Sequence, residues 1–146
     1  MDTLAPLSGK RILCIEDDDD TREMLRLLLA SSGYEVVCAG TVADGLAIAS
    51  AEGGFALYLL DNWLPDASGV EACKRIRRFE PTTPIVFCSA AAYDGDREKA
   101  LEAGAHAYLV KPVAVETLVQ TIGRLIRAER AANNGADRRG GLLEQD

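Results

Sequence analysis

ILCIEDDDDTREML, residues 12–25, changes character at its middle. Four apolar residues, Ile12 to Ile15, run straight into five acids, Glu16 to Asp20. Met24, Leu25, Leu28 and Leu29 then recur at helical spacing. A short unbroken apolar run reads as a strand buried on both faces, and the spacing beyond it as an amphipathic helix. Asp20 with Glu23 three residues on fits a helix-capping pair, and Gly33 a helix stop. The stretch is therefore a strand that ends in carboxylates and leads at once into a helix.

The same unit recurs along the chain. Residues 34–39, 55–60, 84–88 and 107–110 form four further apolar runs. Between them Val42, Leu46 and Ala49, then Val70, Cys73 and Ile76, mark two helices. Residues 96–103 form a weaker helix with an alanine-rich face. Val115, Leu118, Val119, Ile122, Leu125 and Ile126 form the clearest stripe. Five βα units predict an α/β fold, a doubly wound five-stranded parallel sheet with helices on both faces. In such sheets the functional site lies beyond the carboxyl ends of the strands, where the strand order reverses.

At 146 residues the chain suits one domain with a sizeable core. Residues 1–9 read as an N-terminal extension, 10–131 as the domain, and 132–146, with Gly135, Gly140 and Gly141, as a flexible tail. That tail is too short for an output domain, so a single-domain protein is expected. No apolar run approaches the roughly 20 residues of a membrane span, and the first residues carry no secretion signal. A cytoplasmic protein without membrane contact follows.

The net charge is −7, and the run Glu16 to Asp20 holds five acids. The acidity is thus concentrated at one place, as at a site. Lys74, Arg75, Arg77 and Arg78 are the nearest thing to a basic patch, and they read as the solvated face of one helix, so no direct nucleic-acid contact is expected. Cys14, Cys38, Cys73 and Cys88 lack C-x-x-C spacing and His106 is the only histidine, which argues against zinc. The cysteines read as small buried hydrophobes.

The residues that follow the strands are Glu16 and Asp17, then Asp61, then Ser89, then Lys111 with Pro112. The fold would bring three carboxylates, a hydroxyl and an ammonium to one rim. Clustered carboxylates need a cation, and hard oxygen ligands suit Mg²⁺. A carboxylate beside Mg²⁺ and lysine is the arrangement that phosphoryl transfer onto aspartate requires.

ILCIEDDDDTREML, LLDNWLPDASGVE, PIVFCSA and AYLVKP, in this order and spacing, resemble the signature regions of response-regulator receiver domains. The resemblance spans residues 12–112 and implies a flavodoxin-like sheet of strand order 2-1-3-4-5. It implies that Asp61 is the phosphoacceptor and that Glu16 and Asp17 organise Mg²⁺, for which Mn²⁺ can substitute. The Trp63 backbone carbonyl would complete the protein's share of the metal shell, and Lys111 would contact the phosphoryl group. Ser89 would be the switch hydroxyl and Tyr108 the switch aromatic. The family's Lys-Pro pair, here Lys111-Pro112, often carries a cis bond. A sensor histidine kinase or a phosphotransfer protein would supply the phosphoryl group, a downstream protein would read the result, and dimerisation can accompany it. The domain would not be a turnover enzyme, although it would assist its own phosphorylation and dephosphorylation.

Some positions depart from the commonest family pattern. Glu16 stands where aspartate is more frequent, and Ser68-Gly69 replaces Asp-Gly. Trp63 and Ala91 flank the path of attacking water. Simpler roles exist beside the sharp ones: Asp18 to Asp20 as helix-capping acids, Ser89 as a strand end, Tyr108 as core, His106 as structural. Three rival functions differ in what they require. A flavin binder needs a phosphate-cradling loop where Asp17 to Asp20 stand, and these acids repel phosphate. A phosphatase of related chemistry needs an acid/base aspartate where Trp63 stands. A pseudo-receiver would only bind partners, and the intact set of site residues argues against it.

Overall fold

The computed structural model describes residues 10–90 and 93–145, with side chains through residue 134. Its elements alternate throughout: β1 (Arg11–Ile15), α1 (Asp19–Ala30), β2 (Glu35–Ala39), α2 (Val42–Glu52), β3 (Leu57–Leu60), α3 (Gly69–Phe79), β4 (Ile85–Ser89), α4 (Asp96–Glu102), β5 (Ala107–Val110) and α5 (Val115–Gln145). All five strands pair in parallel, in the order β2-β1-β3-β4-β5. This is the expected doubly wound sheet, and its strand order reverses between β1 and β3.

The apolar runs explain why both faces are covered. Successive residues of a strand point to opposite faces. Leu13, Ile15, Tyr58, Leu60 and Phe87 face a core shared with Ala49, Cys73 and Ile76 of α2 and α3. Ile12, Cys14, Leu57, Leu59 and Val86 face the other core, with Leu25 and Leu29 of α1 and Leu118, Ile122 and Ile126 of α5. Each fully buried aliphatic side chain contributes about 1.5–3 kcal/mol of burial free energy, so the strands are fixed from two sides.

The helix starts show what the sequence pattern misplaced. Asp18, not Asp20, caps α1, with its Oδ2 accepting from Thr21 N at 2.8 Å and Thr21 Oγ1 at 2.7 Å. Asp19 and Asp20 fall in the first turn, where their charge favours the positive end of the helix. Met24 points to solvent, 51% exposed, while Leu25 and Leu29 carry the buried stripe. Gly33 has φ 93°, a left-handed conformation that suits glycine in the turn from α1 to β2. The last helix continues to Gln145 through residues expected to be a flexible tail. Ala131, Ala132 and Ala136 are strong helix formers and can extend an established helix, whereas expectation weighed Gly135 and Gly140 as breakers. The expected N-terminal extension, residues 1–9, lies outside the described residues.

Candidate functional site

Two short distances define the rim of the sheet. Lys111 Nζ donates to Glu16 Oε1 at 2.7 Å and stands 3.7 Å from Asp61 Oδ2. Both acids are buried. The ends of β1, β3 and β5, with β4 between the last two, make this possible. Asp61 N donates to Ile15 O at 3.1 Å, and Glu16 N to Ala39 O at 2.9 Å, so the first residues past β1 and β3 remain in the ladder. Lys111 N donates to Ser89 O at 2.9 Å and holds the end of β5 beside β4. The Lys111-Pro112 bond is cis.

Asp17 completes the acidic group at the exposed mouth. One carboxylate oxygen each from Glu16, Asp17 and Asp61 lie within 4.8 Å of one another. Opposite ligands of an octahedral Mg²⁺ stand about 4.2 Å apart, so small side-chain movements would bring the three onto one ion. The donor set is all oxygen, and a single ammonium, Lys111, stands against three carboxyl groups, which fits a hard dication.

Charge and burial compete here. Burial raises the Glu16 carboxyl above its ordinary value, against the pull of the Lys111 hydrogen bond and the Asp18 backbone N–H. Burial pulls Lys111 down, but the hydrogen bond to Glu16 and the charges of Glu16 and Asp61 outweigh it and leave it raised. The ammonium therefore stays charged.

The β3–α3 loop shapes the other side. Trp63 N donates to Asp61 Oδ1 at 3.2 Å, which ties one acceptor oxygen while the other faces Lys111. Trp63 itself is 59% exposed and meets Tyr93 edge-on, ring centroids 6.1 Å apart. Ser68 caps α3 by accepting from Glu71 N at 3.0 Å. At Gly69 a Cβ would lie 2.4 Å from the Asp61 carbonyl oxygen and 2.8 Å from Phe87. Only glycine lets α3 begin this close to the acceptor.

Ser89 is fully buried at the end of β4. Tyr108 is buried and stacks on Phe87 at 5.5 Å, with its hydroxyl in hydrogen-bonding reach of Ser89 and Asn62. The structure thus brings together Glu16, Asp17, Asp61, Trp63 and Lys111, and links Ser89 to Tyr108 beside them. Ala91 lies outside the described residues.

Sequence reasoning missed three positioning residues. Asn62 Oδ1 accepts from Val70 N at 3.3 Å and pins the acceptor loop to α3. Asp66 reaches across to accept from Val42 N and Ala43 N at 2.8 and 2.9 Å, and so caps α2 from another loop. Arg22 donates to Glu16 O at 2.7 Å. All three lie inside the quoted motifs; Arg22 and Asn62 bond six and eight residues away and Asp66 more than twenty, and neither helical nor strand periodicity reveals these pairs.

Comparison with known proteins agrees with the geometry. The family model described as response regulator receiver domain matches residues 12–123. The transcriptional regulatory protein YkoG of Bacillus subtilis, itself called uncharacterized, is 36% identical over 116 residues, 80% of this chain and 50% of the relative. TcrA of Mycobacterium tuberculosis is 37% identical over 123 residues, 83% of this chain and 47% of its own length. The chain thus spans about half the length of these curated relatives. Among solved structures, a CheY-like receiver domain protein of Methanospirillum hungatei superposes with a TM-score of 0.81 at 32% identity, covering 84% of this chain and 98% of that one. With the sheet order, the acid cluster and the lysine in place, the chain belongs to the response-regulator receiver domain family of two-component signalling.

Proposed function

We propose that this domain accepts a phosphoryl group from a phosphohistidine onto Asp61. The observation that carries the reading is Lys111, an ammonium anchored on Glu16 and poised 3.7 Å from Asp61. In the step, an Asp61 carboxylate oxygen forms the new P–O bond, and the P–N bond to the donor histidine breaks. The histidine nitrogen keeps the electron pair and takes a proton. Lys111 offsets charge on the transferring oxygens, and Trp63 N orients the carboxylate. Mg²⁺, or Mn²⁺ in its place, held by Glu16, Asp17, Asp61 and the Trp63 carbonyl, would neutralise further charge on those oxygens.

The aspartyl phosphate adds charge and acceptor oxygens. Ser89 is the hydroxyl that moves to meet them, and Tyr108 follows through their shared contact. The change passes to the surface formed by α4 and β5, which a downstream protein reads. The domain assists its own phosphorylation and dephosphorylation without turning over an external substrate. Protein contact is favoured over nucleic acid within the described part, because Arg75 pairs with Glu71 and Arg77 is spent on the Gly104 and Glu80 carbonyls. The donor would be a cytoplasmic sensor histidine kinase or a phosphotransfer protein. None of the described helices is long and apolar enough to cross a membrane.

Phosphoramidate, which carries its phosphoryl group on nitrogen, provides a test. With Mg²⁺ it should label the protein, and hydroxylamine should then convert residue 61 to a hydroxamate detectable by peptide mass. Label that survives hydroxylamine, or that maps elsewhere, contradicts the reading.

A further inference from the structure

Cys14 and Cys38 are register partners on β1 and β2. Register partners in a parallel ladder point to the same face, and both side chains belong to the core under α1 and α5. Adjacent strands stand about 4.8 Å apart, inside the Cα separation of roughly 4.4–6.8 Å that a disulfide spans. Both thiols are free. Cys14 is buried, whereas Cys38 is half-buried on the edge strand. Its Sγ lies 4.0 Å from the Arg22 carbonyl, and it borders an open cavity of about 440 Å³ shared with Arg22, Gly40 and Asp44. Cys73 belongs to the opposite core, and Cys88, which shares this one, stands on β4 with β3 between it and β1.

We propose that Cys14 and Cys38 form a two-thiol oxidation site that takes a hydroperoxide and, as a disulfide, weakens the metal site of the receiver. The first half rests on the pair alone; the second rests on the reading of Glu16 and Asp17 as metal residues. Cys38 is the attacking thiol. Its proton affinity is pulled down to about 7, first by the hydrogen bond with Cys14 and, against burial, by the charges of Arg22 and Arg26. Partial exposure and nearby cations make a cysteine reactive; here Arg22 and Arg26, each paired with an acid, act against Glu23.

The steps balance with peroxide as the oxidant. The Cys38 thiolate attacks one peroxide oxygen, the O–O bond breaks, and the other oxygen leaves as hydroxide and becomes water. Cys38 is then a sulfenic acid. Cys14 attacks the Cys38 sulfur, the S–O bond breaks, and the departing hydroxide takes the Cys14 proton and leaves as a second water. Two thiols lose two electrons and one peroxide gains them.

The link to the metal site is one rung long. Ile15 and Ala39 are the next register pair, and the Ala39 carbonyl holds Glu16 N at 2.9 Å. Arg22, whose carbonyl faces Cys38, also holds the Glu16 carbonyl through its guanidinium. Drawing the two sulfurs to bonding distance shifts the backbone that positions Glu16 and Asp17. Loss of such supporting geometry lowers metal affinity by about 10-fold or more.

The experiment treats the full chain with graded hydrogen peroxide, alkylates what remains, and maps the peptides by mass. Mg²⁺ affinity is read in parallel from Trp63 fluorescence, without any phosphodonor. The expected result is a loss of two hydrogen masses, a Cys14–Cys38 linked peptide, and Mg²⁺ binding about 10-fold weaker that dithiothreitol restores. The Cys38→Ser variant, changed at the sheet edge, should neither cross-link nor lose Mg²⁺ affinity. Full alkylation of both cysteines, a Cys38 sulfenic acid that goes no further, or an intermolecular disulfide would each overturn the site. A Cys14–Cys38 disulfide with unchanged Mg²⁺ affinity would overturn the coupling while leaving the thiol pair. Failure to bind Mg²⁺ even when reduced would instead count against the reading of the acidic cluster and overturn the coupling with it.

Discussion

Lys111 is the residue on which the site's electrostatics turn. It is the described cation that touches both Glu16 and Asp61. Lys111→Ala should leave the fold intact and slow phosphorylation by roughly 100-fold, the usual cost of losing one positioned donor to a developing anion. Initial rates with a small phosphodonor measure this, and a rate within twofold of wild type would remove Lys111 from the mechanism. Trp63 acts later. Its exposed ring and Tyr93 stand beside the acceptor, where they shield an aspartyl phosphate from water. Trp63→Ala should shorten the phosphoryl half-life; an unchanged or longer half-life contradicts the shielding role. Tyr58 carries a different lesson. Its hydroxyl is buried with no partner among the described residues, and burial first pushes its pKa up to about 12. The folded state therefore keeps a proton that the unfolded state loses above 10. Stability should fall as pH rises through that window and level off near 12. Tyr58→Phe should reduce the fall, to which Cys73 with its pKa of about 11 also contributes, and raise stability by about 1 kcal/mol, as urea titrations at several pH values would show. A destabilised Phe variant would mean that the hydroxyl is satisfied.

At the scale of elements, α3 is set by how near it can start to the acceptor. Gly69→Ala puts a methyl 2.4 Å from the Asp61 carbonyl and 2.8 Å from Phe87, neither of which can retreat in a packed core. The substitution should cost about 1–3 kcal/mol and slow phosphorylation, because the acceptor's own backbone must move. Equal stability and rate would show that the loop relaxes freely. The strands were legible because apolar runs buried on two faces leave no other reading, and their ends fell within two residues of expectation. The cap of α1 was legible only as a type of residue: four consecutive aspartates each qualify, and Asp18 is selected by where the chain leaves β1. Thr41 caps α2 locally, but the further bonds from Val42 N and Ala43 N to Asp66 were not legible, because they depend on two loops meeting in space. Residues 132–145 were misread for a related reason. Gly135, Gly140 and Gly141 were weighed as breakers, whereas a helix already nucleated and packed through Ile122 and Ile126 extends through them.

For the whole molecule, the sheet is the device that turns scattered residues into a site. Glu16, Asp61 and Lys111 are far apart in sequence, and each simply follows a strand; parallel order 2-1-3-4-5 places those ends on one rim. The shared rim followed from apolar runs and the switch-point rule, and the strand order from the family resemblance. The distances did not. Lys111 bound to Glu16 while facing Asp61, and Tyr108 joined to Ser89 and Asn62, are products of packing. The central claim is that this rim makes Asp61 a metal-dependent phosphoryl acceptor. Its most direct test is intact mass after incubation with acetyl phosphate, with and without Mg²⁺, for wild type and Asp61→Asn. One added phosphoryl group that requires both Mg²⁺ and Asp61 is the predicted result. A well-folded protein that gains no mass under any condition, or gains it equally in Asp61→Asn, would contradict the account and favour a domain that only binds partners.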